Sequence, residues 1–379
     1  MDTVSLVTEL ISRAQESGAS DIHIDPAAHA VEIRVRVDGA LRTSGSIPRE
    51  RHAALIAHLK ILASLRTDEH AAPQDGRFTF EAGTLPPLEV RISVMPTYYG
   101  ENAVLRLFPF STKALTLASL GMRREHARTV ADAIARPHGL LLIAGPTGSG
   151  KTTTLYTLME MLSAAAERPR MLVSIEDPVE RPLAGVRQIS AGVRDLSFAR
   201  GLRAILRQDP DVIMVGEIRD TETAQLAVQA ALTGHLVLST LHALDIPAIV
   251  PRLTALGVDP YLAASTLRIA LSERLVRTAC DGCSSVRELT AAQLRSLSQL
   301  SESQVPLPIA HRIGSGCGSC DGTGYRGRTG VFDVAVGDGR PSKGELAFLE
   351  RPSRLPRESV RKVAEGSTTC EEALRIGYA

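Results

Sequence analysis

Tryptophan is absent from these 379 residues, and the remaining aromatics come to 6 tyrosines and 7 phenylalanines. Single-stranded nucleic acid is gripped by stacking its bases on aromatic rings along a basic groove. The chain offers little of either: 43 basic residues stand against 42 acidic ones, a net charge of +1. So even a balance creates no long-range field toward polyanions or an anionic membrane surface. No direct contact with nucleic acid is expected. Long apolar runs are missing too. No stretch approaches the roughly 18 residues of a membrane helix, and Asp2 with Glu9 argues against a secretory leader. These absences predict a cytoplasmic protein that reaches a membrane only through a partner. Cysteine is scarce, at five residues; in a reducing compartment such residues serve metals more often than disulfides.

What is present is a chain too long for one core, so two or three domains are expected. Val4, Val7, Leu10, Ile11 and Ala14 recur at helical spacing before Gly18. Apolar and polar residues alternate over 21–26 and 31–37, the second run ending in an Asp38-Gly39 turn. A helix over about 50–66 and strands near 77–81, 88–95 and 102–108 complete a small α+β domain, residues 1–108. Pro109, Ser111, Thr112, Lys113 and Gly121 make 109–121 a linker. Over 122–275 the short apolar runs 140–144, 171–175, 212–216 and 235–240 alternate with helical patterns. That alternation predicts an α/β core, a parallel sheet covered by helices. Residues 276–330 carry four of the cysteines, and 331–379, with Pro341, Pro352 and Pro356, read as a helical C-terminal region.

The stretch Gly145-Pro146-Thr147-Gly148-Ser149-Gly150-Lys151-Thr152-Thr153 follows the run Leu140-Leu141-Leu142-Ile143-Ala144 and opens a helical pattern. Glycines let backbone N–H groups turn inward around a polyphosphate, and the helix presents its positive end to the same anion. In that setting Lys151 reaches the β- and γ-phosphates of a nucleotide such as ATP, and Thr152 places a hydroxyl on Mg²⁺. Ligands of a parallel sheet bind at the carboxyl ends of its strands. Glu176, Asp177 and Glu180 follow one apolar run, Glu217 ends the run introduced by Asp209-Pro210-Asp211, and His235 and His242 flank another. A carboxylate there holds Mg²⁺ through water or polarises the attacking water. Histidines near a phosphate site suit sensing, although a lone histidine at a strand end is usually a plain hydrogen-bonding group. Arg203 and Arg207 share one helical face.

Cys280-Asp281-Gly282-Cys283 and Cys317-Gly318-Ser319-Cys320 form two CxxC knuckles. Four thiolates in this arrangement close a tetrahedral Zn²⁺ site with no position left for water, hence a structural one. A redox pair is the rival reading, but it needs no second copy. Cys370 is left over as a small buried residue.

With these motifs in order, the chain resembles the secretion ATPases that drive type II secretion and type IV pilus assembly. The matching segments are 145–152, 174–180, 211–220 and 233–242, with Phe198 to Asp211 and Ser20-Asp21-Ile22-His23-Ile24 alongside. The resemblance implies a RecA-like ATPase core in a homo-hexameric ring, a smaller N-terminal domain that closes over nucleotide, and an inner-membrane platform protein as partner. It also implies that Arg91 and Arg106 neutralise the γ-phosphate, that Arg203 and Arg207 act across a subunit boundary, and that the tetracysteine module marks the assembly branch. By the same resemblance, the extra N-terminal domain that docks many relatives is expected to be missing. A nucleotide-gated switch with little turnover, and a pilus ATPase tied to DNA uptake, stay open beside the secretion motor.

Overall fold

A computed structural model describes residues 2–109, 115–165, 169–192, 195–301, 305–337 and 351–377. Part of the expected linker, 110–114, and Pro341 lie outside the described residues. The chain divides into two compact units, Met1–Lys113 and Ala114–Ala379.

In the first unit, Asp2 caps helix α1 (Thr3–Glu16) by accepting a hydrogen bond from the Ser5 backbone N–H at 2.7 Å. Strands β1 (Ala19–Pro26), β2 (Ala30–Val37) and β3 (Ala40–Pro48) follow, then α2 (His52–Leu62), β4 (Gln74–Phe80), β5 (Leu88–Thr97) and β6 (Gly100–Pro109). The strands form one antiparallel sheet in the order β3-β2-β1-β6-β5-β4. Alternation decides its buried face: Ile22 and Ile24 pack with Val90, Ile92, Val94 and Leu105 under α1 and α2. Asp38 and Gly39 turn the chain at φ 51° and 84°, which suits the β2–β3 hairpin. Strand β3 is an addition to the sequence expectation; its residues are largely exposed and polar, so hydrophobic alternation does not mark it.

The second unit alternates helix and strand: α3 (Arg124–Ile134), β7 (Gly139–Ala144), α4 (Lys151–Ser163), β8 (Leu172–Glu176), β9 (Val186–Ser190), α5 (Phe198–Ile205), β10 (Val212–Ile218), α6 (Thr221–Leu232) and β11 (Leu236–Leu241). Then come α7 (Ile249–Ala255), α8 (Pro260–Thr266), β12 (Leu267–Ala279), β13 (Ser284–Glu288), α9 (Ala291–Ser301), β14 (Ala310–Gly314), β15 (Tyr325–Val336), α10 (Leu355–Ala364) and α11 (Cys370–Gly377). Seven strands form one sheet in the order β15-β12-β7-β11-β10-β8-β9, parallel except for β15. Every residue of β7, β8 and β11 is buried, as a sheet covered on both faces requires. One face carries Leu142, Val173, Val215 and Val237 against α6; the other carries Ile143, Met214, Leu238 and Leu271 against α4.

The sheet continues past residue 275 through the antiparallel pairing of β12 with β15. Strand β12 pairs with β7 on one side and with β15 on the other, so residues 280–324 are an excursion between two paired strands. That excursion contains the ribbon β13–β14 and α9, and α9 packs with α10 and α11 around Leu297, Val360, Cys370 and Ala373.

Candidate active site

The loop from Gly145 to Gly150 leaves the end of β7 and enters α4 with Gly150 as its N-cap, at φ +106°. The positive φ disfavours a side chain at Gly150, and a Cβ there would force Oε1 of Glu273 to move. Lys151 is buried and lies back on the loop, its Nζ donating to the carbonyls of Gly145 and Pro146 at 2.8 Å each. Burial holds its ammonium below the ordinary lysine value. The side chains of Thr152 and Thr153 are exposed, on the first turn of α4.

Beside the loop opens a cleft lined by Thr152 and Tyr156 of α4, by Glu176, Asp177 and Glu180 at and beyond the end of β8, and by Glu217 of β10. The parallel register brings these residues together, because all three strand ends point the same way. Glu176 is 4% exposed and accepts hydrogen bonds from Ser174 Oγ at 2.7 Å, Gln188 Nε2 at 3.1 Å and the Tyr156 hydroxyl. Burial, then the bond to Glu176, pushes the Tyr156 phenol upward, so it stays a proton donor. The same hydroxyl accepts from the Glu180 backbone N–H at 3.0 Å, and Arg181 lies over the Tyr156 ring at 5.1 Å. Glu217 pairs with Arg219 at 2.6 Å and with Nε2 of His242 at 3.2 Å.

Other candidates lie elsewhere. His235 precedes β11 at the end of the sheet opposite the loop, where its Nδ1 bonds the Ala230 carbonyl at 3.0 Å. Arg203 pairs with Glu222 of α6, and Arg207, past the end of α5, is exposed. In the first unit Arg91 bonds Glu89 at 3.3 Å and stacks over Phe108 at 4.5 Å, while Arg106 bonds Asp21 at 3.1 Å. Sequence reading missed Tyr156, Arg219 and Glu273. Arg219 stood two residues past Glu217 on the same strand end, a signal that was present; the other two are brought in by packing.

At the far end of β12 the four sulfurs of Cys280, Cys283, Cys317 and Cys320 lie within 4.8 Å of one another. Three pairs are 3.8–3.9 Å apart. Disulfide bonding requires about 2.05 Å, whereas four sulfurs at about 2.3 Å from a tetrahedral ion are about 3.8 Å apart. Backbone N–H groups of Cys317 and Gly324 donate to Cys320 Sγ at 3.2 Å each, which favours thiolate. The donor set fits a soft tetrahedral ion.

A buried lysine on a glycine loop, a parallel sheet and strand-end carboxylates around one cleft define a phosphate-loop nucleoside triphosphatase. Comparison with known proteins narrows the class. The family described as Type II/IV secretion system protein matches residues 2–375. Type II secretion system protein E of Aeromonas hydrophila is 41% identical over 387 residues, covering 98% of this chain and 75% of that protein. Type II secretion system ATPase E of Vibrio cholerae serotype O1 is 41% identical over 385 residues, with 98% and 75% covered. The chain belongs to this family of secretion ATPases. Its fold matches the ATPase DotB of Legionella pneumophila with a TM-score of 0.70 at 20% identity, covering 99% of this chain and 96% of that one. It also matches the pilus retraction motor PilT with bound ADP, with a TM-score of 0.64 at 24% identity and coverage of 98% and 96%. Among the described residues no helix is long and apolar enough to cross a membrane.

Proposed function

We propose that this ATPase is the motor of a type II secretion system, working as a homo-hexamer docked on an inner-membrane platform protein. The identity of 41% to protein E relatives over 98% of the chain carries that choice over a pilus or DNA-uptake machine. In this reading the loop from Gly145 to Gly150 cradles the phosphates of ATP, Lys151 turns from the loop carbonyls to the β- and γ-phosphates, and Thr152 with Glu217 holds Mg²⁺, which supplies charge neutralisation when bound. Glu176 and Glu217 are the two carboxylates proposed to orient the attacking water, with Glu180 beside them and His242 reporting the state of Glu217. Arg91 and Arg106 are proposed donors to the transferring phosphoryl group, which requires each to leave its present partner, Glu89 or Asp21. Arg203 and Arg207 are proposed to act toward a neighbouring subunit. For His235 we propose no part in chemistry, given its place at the opposite end of the strand.

The test is steady-state Mg-ATP hydrolysis by the parent and by Lys151→Ala, with light scattering for the ring. Turnover that falls by orders of magnitude in the variant supports the motor. Tight Mg-ATP binding without turnover in the parent favours the nucleotide-gated switch instead. Tetracysteine spacing and sulfur distances support a structural Zn²⁺ held by Cys280, Cys283, Cys317 and Cys320, and one zinc per chain is the content expected from elemental analysis.

A further inference from the structure

Under the phosphate loop lies a carboxyl group to which the hydrolysis reading gives no task. Glu273 is 2% exposed in the middle of β12, directly after Ser272, the register partner of Ala144 at the end of β7. Its side chain therefore enters the layer below α4, where it meets the loop at both ends. Oε2 accepts a hydrogen bond from Thr154 Oγ1 at 2.9 Å, and Oε1 occupies the space that any side chain at Gly150 would need. The Glu273 backbone carbonyl lies 2.8 Å from where a Cβ on Gly145 would stand. One residue thus sets the floor for the first and last glycines of the loop and for the first turn of the helix.

The charged groups around it are few. Lys151 faces it from α4, with its Nζ on the loop carbonyls. Arg274, next on β12, donates to the Glu273 carbonyl at 3.1 Å and to the Leu244 carbonyl at 2.8 Å, so its charge is directed elsewhere. From β15 the register partner is Phe332, and the neighbouring Asp333 is held by Arg351. Burial pushes the Glu273 carboxyl up to about 8, against the opposing pull of the Thr154 hydroxyl and the Lys151 charge. An ionised carboxylate here would compete for Lys151 and repel the polyphosphate that the loop is shaped to hold.

We propose that Glu273 is a positioning residue of the phosphate loop, supporting Gly150 and Thr154 from below while Lys151 stays free for the nucleotide. This rests on the nucleotide reading of the loop. It makes nucleotide affinity sensitive to alkaline pH through a group outside the cleft.

The experiment measures binding of a fluorescent Mg-ATP analogue, and the KM and kcat of hydrolysis, at pH 7.5 and pH 9 on the full chain. In the parent, apparent affinity should fall about eightfold between the two, as expected for a site that requires the neutral form of an acid titrating near 8. Glu273→Gln keeps the shape and cannot ionise; it should match the parent at pH 7.5 and change less than twofold by pH 9. Glu273→Leu fills the space without a partner for Thr154 and should raise KM severalfold at both pH values, with kcat affected less. Glu273→Gln falling as steeply as the parent, or already failing to bind at pH 7.5 while still folded by circular dichroism, would overturn the proposal. Lys151→Ala is the separate control. If it binds the analogue as tightly as the parent, the nucleotide reading of the loop falls first, and this proposal with it.

Discussion

Removing the Arg277 side chain should destabilise the second unit more than neutralising its partner. Glu372 on α11 is 2% exposed and Arg277 on β12 is 28% exposed. Glu372 Oε1 accepts from Nε and Nη2 of Arg277 at 3.0 and 2.8 Å; Oε2 accepts from the Arg277 backbone N–H at 2.8 Å and from Arg375 at 3.0 Å. Arg277 also stacks over Tyr325 at 4.0 Å. In Arg277→Met, Oε1 loses both donors while the carboxylate stays buried, a fault that costs about 3 kcal/mol. In Glu372→Gln an acceptor remains and the partly exposed guanidinium turns to water, so about 1 kcal/mol is expected. At about 2 °C per kcal/mol for a unit of this size, calorimetry at pH 7 should show melting about 6 °C lower for Arg277→Met and about 2 °C lower for Glu372→Gln. The two costs should also differ in pH dependence. Burial raises the Glu372 carboxyl, but the Arg277 donors outweigh it and hold the group below the ordinary carboxylate value. Its stabilisation is thus present above about pH 4.3 and lost as pH falls through the lower folded value. The gap between parent and Arg277→Met should shrink in acid. Equal costs for the two variants, or a gap that ignores pH, would refute the assignment of the loss to a stranded carboxylate.

Three further outcomes are expected. Glu217→Gln and Glu176→Gln should each retain Mg-ATP binding and slow hydrolysis by at least about a hundredfold, measured in single turnover; loss of nucleotide binding in either, with the fold intact, counts against a role in chemistry. Cys317→Ser should release metal and loosen residues 280–324 in hydrogen exchange, while Mg-ATP binding at the loop persists. Because Glu273 keeps its proton to about 8, its contribution to stability is full below about pH 4.3 and is lost as pH rises through 8. Glu273→Gln should therefore flatten the decline in melting temperature across that window.

The loop and the strand-end carboxylates were legible because the signals are local: glycines between an all-apolar run and a helical one, and acids at the ends of buried runs. The cysteine cluster was legible for the same reason, since two CxxC turns carry their own geometry. Strand β12 was not. Its Leu267, Leu271 and Leu275 recur at a spacing equally suited to a helix, and only pairing with β7 and β15 decides the matter. Glu273 was invisible with it, since a glutamate between serine and arginine reads as solvated until the sheet forms around it. Tyr156 follows the same logic: its hydroxyl meets Glu176 only when α4 packs on the sheet. The position of His235, by contrast, follows from strand direction alone, because a residue that precedes a strand parallel to β7 stands at the far end from the loop.

Strand β12 joins two places that chemistry keeps apart. Ser272 is in register with the last residue of β7, and Ala279 abuts the first cysteine of the tetrathiolate cluster. Seven residues of extended chain at about 3.3 Å each make an arm of about 23 Å between them. A slip of one residue along β7 or β15 would turn every buried side chain of β12 to the wrong face, so any displacement linking the two ends would have to tilt the arm rather than slide it. A tilt of about 5° at the loop end would carry the cysteine end through about 2 Å, the size of shift that separates packed states of neighbouring elements.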